Sequence, residues 1–129
     1  MVKHQPQQNH YNNIFSLKNR VSVVTGAGHI GSEIAKALSD FGSFVFVLTR
    51  SPVKYASLSE YGNITLMECD VTNEIRVYEC IKEIKDSLVN IDILVNNAFS
   101  EKREDILKVT KQEWDSGLNT MLSHVFFCS

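Results

Sequence analysis

An α/β fold, a doubly wound parallel sheet of four strands alternating with helices, is predicted by three observations. Four short apolar runs punctuate the chain, helical periodicity fills the segments between them, and a glycine-dense turn joins the first run to the first helix. Strands that alternate with helices connect by right-handed crossovers, which makes the neighbours parallel.

The elements follow in order. Residues 1–13 are polar and read as a disordered leader; residues 14–129 read as one domain. Ile14 to Arg20 is a lead-in, with Phe15 and Leu17 expected to pack against the sheet edge. Val21 to Thr25 is the first strand. The first helix runs from Ile30 to Phe41 with Ile30, Ile34, Leu38 and Phe41 as its stripe, and Gly42 ends it as a left-handed cap. Phe44 to Thr49 is apolar throughout, as a strand covered on both faces requires. Ser51-Pro52 reads as an N-cap followed by proline at the first helical position, opening a short helix to Tyr61 that stops at Gly62. Ile64 to Cys69 is the third strand.

Asp70-Val71-Thr72 turns the chain, and Thr72 caps a helix from Asn73 to Leu88 whose stripe is Val77, Ile81, Ile84 and Leu88. Ile91 to Asn96 is the fourth strand, followed by a charged loop from Ser100 to Asp105. Thr110 and Glu113 form a capping box that opens a last helix. Its expected buried side is Trp114, Leu118, Met121, Leu122, Val125 and Phe126.

Bulk properties narrow the function classes. Of the 129 residues 43% are hydrophobic and 22% charged, and 13 basic against 15 acidic residues leave a net charge of -2. No basic block suggests a nucleic-acid or membrane surface, and no apolar run approaches the roughly 20 residues that span a bilayer. Cys69, Cys80 and Cys128 fall in no metal or redox spacing, nor is a metal expected at His4 and His10. Reduced thiols in the cytoplasm are the simplest account.

The turn carries the chemistry. Gly26-x-Gly28-x-x-Gly31 between a strand and a helix is the fingerprint of a dinucleotide-binding corner, which makes the sheet Rossmann-like. Gly26, Gly28, His29, Ile30 and Gly31 would border a pyrophosphate, to which the N-terminus of the following helix offers free backbone donors and a partial positive charge. A side chain at Gly28 would hold the phosphates away. His29 is expected only to fill the turn.

Thr25-Gly26 with its glycine turn, Asp70-Val71, and Asn96-Asn97-Ala98 after the fourth strand together resemble the short-chain dehydrogenase/reductase family, in order and spacing. The resemblance implies an NAD(P)-dependent oxidoreductase passing hydride between a nicotinamide and a carbonyl or alcohol, with a small-molecule substrate. Asp70 would accept from the adenine amino group with the Val71 backbone beside it; a turn former ahead of Thr72 is the other reading. Asn97 and Ala98 would hold backbone and cofactor together, or Asn97 is simply a satisfied turn asparagine. In dinucleotide folds an acid about 20 residues past the glycines binds the ribose 2′-OH. Here Leu48-Thr49-Arg50-Ser51 holds no carboxylate, so Arg50 would pair with a 2′-phosphate and favour NADP over NAD, unless it is a solvated strand-end charge.

Four departures from the family pattern stand out. The glycine turn is one residue shorter than usual, and Phe99 replaces the glycine that follows Asn-Asn-Ala. Met121, expected to pack, stands where the family has an active-site asparagine; Asn119 lies about 200° of helix rotation away. The family's catalytic serine and Tyr-x-x-x-Lys follow the last helix, beyond Ser129, so the chain is read as the cofactor half of an oxidoreductase with no catalytic residue assigned. Tyr78 and Lys82 have that spacing on the wrong segment and read as a surface pair. A non-catalytic NAD(P)-binding sensor or degenerate relative is the alternative, and a sugar-nucleotide epimerase a third. In the isolated chain Leu122, Val125, Phe126 and Phe127 are expected to lie exposed and drive association; the full-length form is expected to be a homo-oligomer.

Overall fold

The computed structural model describes residues 14–87, 90–99 and 105–129. The leader, His4, His10, Leu88 and nearly all of the charged loop after the fourth strand lie outside them. Four parallel strands, β1 (Val21–Thr25), β2 (Phe44–Thr49), β3 (Ile64–Glu68) and β4 (Ile93–Asn96), form one sheet in the order β3-β2-β1-β4. Val24 pairs with Val47 on one side and Val95 on the other. The chain therefore winds outward from β1 to β3 and then crosses to the opposite side of β1, leaving a switch point between β1 and β4 at the carboxyl ends.

Strand alternation divides the core in two. Val21, Val23 and Leu48 face helix α2 (Glu74–Ser87), meeting Val77, Cys80 and Ile84. Val24, Val45 and Val47 face helix α1 (His29–Asp40), meeting Ala35, with Leu58 beside them. Each buried Val, Leu and Ile among them contributes about 1.5–3 kcal/mol by leaving water. Asp92 fastens the amino end of the sheet, accepting from Val21 N–H at 2.9 Å and from Arg20 at 2.8 Å.

Several expectations need correction. The face of α1 that touches the sheet is Gly31, Ala35 and Ser39, flanked by Ile34 and Leu38; Ile30 is 64% exposed and Phe41 is also outside. Small residues win this face because they let the helix lie close to the strands. Gly42 does take φ +98° after α1, as a left-handed cap does. Phe15 is exposed rather than packed on the sheet edge, and the lead-in is tied instead by Leu17 N–H to the Phe41 carbonyl at 2.8 Å. Pro52–Glu60 is 3₁₀, kinked at Tyr55, and Ser51 makes no side-chain cap. The cap of α2 is Asn73, whose Oδ1 accepts from Arg76 N–H at 3.1 Å; the Thr72 hydroxyl is committed to Asp70.

The last helix departs most. The capping box of Thr110 and Glu113 forms and opens α3 (Lys111–Leu118). A π turn (Asn119–Ser123) then intervenes before α4 (His124–Cys128). Trp114, Leu118 and Met121 are exposed rather than buried, Met121 at 60%, and His124 is buried at 1%; Leu122, Phe126 and Phe127 lie exposed, as expected for the isolated chain, while Val125 is half-buried. The wide turn inserts an i→i+5 bond, which shifts the residues after it relative to a stripe laid out at 3.6 residues per turn; Trp114 and Leu118 precede it and are exposed all the same.

All three cysteines are free, and Cys128 packs against the cluster that holds Cys69 and Cys80. Burial first, then the Cys80 neighbour, pushes the Cys69 thiol from 9.0 up to about 12. A folded value above the unfolded one means stability that is complete below pH 9 and is lost as pH rises toward 12. Urea midpoints measured on either side of pH 9 should fall on the alkaline side, and fall less in Cys69→Ala; equal losses in both would exclude this thiol as the cause.

Candidate functional site

A cavity of about 550 Å³ opens at the carboxyl ends of the strands, over the switch point. It is floored by the turn between β1 and α1. Gly26 holds φ +82°, a conformation side chains rarely take, while Gly28 sits at an ordinary φ of -62°. Shape explains the other two glycines. A Cβ on Gly31 would overlap the Gly26 carbonyl and approach Asn97 Nδ2 at 2.5 Å, whereas one on Gly28 would meet no protein atom within 4 Å. Gly31 is therefore required by the protein's own packing, and Gly28 leaves open space above the turn. The first N–H groups of α1 have no intrahelical acceptor, and His29, Ile30 and Gly31 line the cavity.

The turn is held from the side by the end of β4. Asn97 Nδ2 donates to the carbonyls of Thr25 at 3.0 Å and Gly26 at 3.1 Å. Thr25 Oγ1 accepts from the N–H groups of Asn97 at 3.0 Å and Ala98 at 3.1 Å. Both connections between β1 and the loop after β4 are thus made by side chains at the strand ends. Asn97 is a satisfied turn asparagine and a wall of the cavity at once, with Ala98 and the Phe99 ring beside it.

At the end of β3, Asp70 Oδ1 accepts from Thr72 N–H at 3.0 Å and from its hydroxyl at 2.7 Å. Burial pushes this carboxyl up, but the Thr72 bonds and nearby Arg50 outweigh it and hold it below its ordinary 3.8. The stability from this depression is present above pH 3.8 and lost as pH falls below it. Asp70 forms the turn and still lines the cavity, as does Val71. Arg50 lines it from the end of β2, where no carboxylate stands.

All ten residues singled out from the sequence border this one cavity: Gly26, Gly28, His29, Ile30, Gly31, Arg50, Asp70, Val71, Asn97 and Ala98. Lys54, Tyr55, Ser116 and Thr120 border it too and were missed. Lys54 lies 5.4 Å over the Tyr55 ring, four residues past Arg50; two cations at that spacing after a strand were the available signal. Ser116 and Thr120 come from the last helix, whose register sequence periodicity misjudged. Tyr78 and Lys82 are exposed on α2 and neither borders the cavity. Among the described residues no group of His, Cys, Asp or Glu could hold a metal ion, and no helix is long and apolar enough to cross a membrane.

Comparison with known proteins gives a consistent picture. The family model described as short chain dehydrogenase matches residues 20–129. The 3-oxoacyl-(acyl-carrier-protein) reductase of Vibrio harveyi is 32% identical over 114 residues, covering 86% of this chain and 47% of that protein. A solved structure of a putative short-chain alcohol dehydrogenase from Sinorhizobium meliloti 1021 superposes with TM-score 0.80 at 32% identity, over 89% of this chain and 48% of that one. The Pseudomonas aeruginosa RhlG/NADP active-site complex gives TM-score 0.78 at 28% identity, over 88% and 46%. The chain spans about half the length of the curated relatives it matches.

Proposed function

The chain belongs to the short-chain dehydrogenase family, a family of oxidoreductases on an NAD(P)-binding fold, and from that premise we propose that its cavity binds NADP(H) in preference to NAD(H). The observation that carries the reading is the turn itself: an open space over Gly28, free amide donors at the start of α1, and a glycine packed so tightly at Gly31 that the surface stays concave. A diphosphate needs all three. Gly28, His29, Ile30 and Gly31 supply backbone donors to it, while Gly26, whose N–H is held by the Leu48 carbonyl at 2.8 Å, shapes the turn. Asp70 and the Val71 backbone meet the adenine, Asn97 and Ala98 wall the path toward the nicotinamide, and Arg50 with Lys54 offers two cations to a 2′-phosphate.

When bound, the nicotinamide supplies or takes the hydride. This chain's residues bind and orient it, and a small-molecule carbonyl or alcohol is the class of substrate. A cytoplasmic location fits the three free thiols. Met121 at the position of the family's asparagine, pointing outward, favours a second reading in which the cofactor is bound without turnover.

Fluorescence titration with NADPH and NADH tests the proposal. Arg50→Ala should weaken NADPH by roughly tenfold or more, the size of a lost charge-assisted hydrogen bond, and leave NADH unchanged. Equal loss of both would remove the 2′-phosphate assignment, and no binding of either would remove the cofactor reading.

A further inference from the structure

His124 is the buried residue that the cofactor reading does not use. Its side chain is almost wholly enclosed, and Nε2 lies 3.5 Å from Thr25 Oγ1 on β1. Nδ1 is buried and has no hydrogen-bond partner among the described residues. A threonine hydroxyl has two lone pairs and one proton. Both lone pairs of Thr25 are taken, by the N–H groups of Asn97 and Ala98. Its proton must therefore go outward, and two acceptors stand within reach: the Val95 carbonyl at 3.4 Å and His124 Nε2 at 3.5 Å.

The count also decides the ring. A proton on Nε2 would face an oxygen with no acceptor site left, and Nδ1 would be an orphaned lone pair, so both nitrogens would be unsatisfied. A proton on Nδ1 leaves Nε2 free to accept from Thr25, and only one nitrogen lacks a partner. We propose that His124, as the neutral Nδ1–H tautomer, is a positioning residue: it orients the Thr25 hydroxyl so that its lone pairs hold the Asn97–Ala98 turn against the glycine turn. Where this concerns cofactor binding it rests on the reading above; the orientation of Thr25 does not.

Three measurements on the full 129-residue chain test it. Long-range ¹H–¹⁵N correlation of the wild type should show the proton of His124 on Nδ1; a proton on Nε2 overturns the proposal without any variant. Amide exchange of Asn97 and Ala98 should quicken about fivefold in His124→Leu, the size of one neutral hydrogen bond, and return toward wild type in His124→Gln, whose carbonyl can accept. In a Thr25→Val background His124→Leu should add nothing; the same fivefold there would mean that the ring acts only by packing. The NADPH dissociation constant should rise by the factor seen in exchange. If the wild type binds no NADPH the cofactor reading fails, while tautomer and exchange still decide on His124.

Discussion

Gly31→Ala should unfold the cofactor corner, and Gly28→Ala should leave the fold standing while abolishing tight NADPH binding. The contrast arises because the two glycines are glycine for different reasons. At Gly31 the added methyl would overlap the Gly26 carbonyl, a backbone atom that cannot step aside, and press on Asn97 Nδ2. Overpacking of that kind costs about 3 kcal/mol or more, a large part of the stability of a domain this size. At Gly28 the backbone angle is ordinary and the methyl meets no protein atom, so the fold should lose at most about 1 kcal/mol, the difference a helix N-cap feels. A diphosphate lying against the turn would meet that methyl directly, and affinity should drop at least about tenfold, a loss of one good hydrogen bond or more. Urea denaturation and NADPH titration of both variants read the two effects separately. Wild-type affinity in Gly28→Ala would move the phosphates off this turn.

Asn97→Asp should destabilise the chain more than Asn97→Ala. The amide nitrogen of Asn97 donates to two carbonyls, those of Thr25 and Gly26. Removing the donor in Asn97→Ala leaves both carbonyls short of a partner, worth about 2 kcal/mol in a half-buried site. Aspartate keeps the size but sets a carboxylate oxygen against carbonyl oxygens, and the expected loss rises to about 3 kcal/mol. The carboxylate should also take up a proton more readily than a free one. Stability of Asn97→Asp should therefore recover as the pH falls toward its raised pKa, whereas that of Asn97→Ala should not. If the two variants lose the same amount at neutral pH, the amide is not the donor that joins β1 to the loop after β4.

The strands and the glycine turn were legible because their signals are local. Val-Ser-Val-Val and Phe-Val-Phe-Val-Leu read as buried strands and Ile-Asp-Ile-Leu-Val-Asn as a strand whatever surrounds them, and the positive φ of Gly26 and Gly42 belongs to turns that the local pattern already marks. The candidate site was legible for the same reason. In a parallel sheet the residues just past each strand converge on one edge, so Gly26, Arg50, Asp70 and Asn97, far apart in the chain, border one cavity.

Helix faces were less legible, and the reason differs from case to case. On α1 the apolar stripe was placed beside the true contact, because closeness to the sheet selects small residues over large ones. At the start of α2 the cap moved from Thr72 to Asn73, since Asp70 had already claimed the threonine hydroxyl. On the last helix a π turn, which no periodicity in the sequence announces, swung Met121 outward and His124 inward.

The sequence by itself determined the order of strands and helices, the phosphate turn, and the set of residues gathered at the carboxyl edge, because each depends on neighbours close along the chain. Only the tertiary structure decided which glycine serves the fold and which leaves room for a ligand, that Thr25 and Asn97 knit β1 to the end of β4, and that a histidine lies beneath them. Those outcomes depend on atoms brought together from about 70 to 100 residues apart, and contacts of that range are set by packing rather than by local pattern.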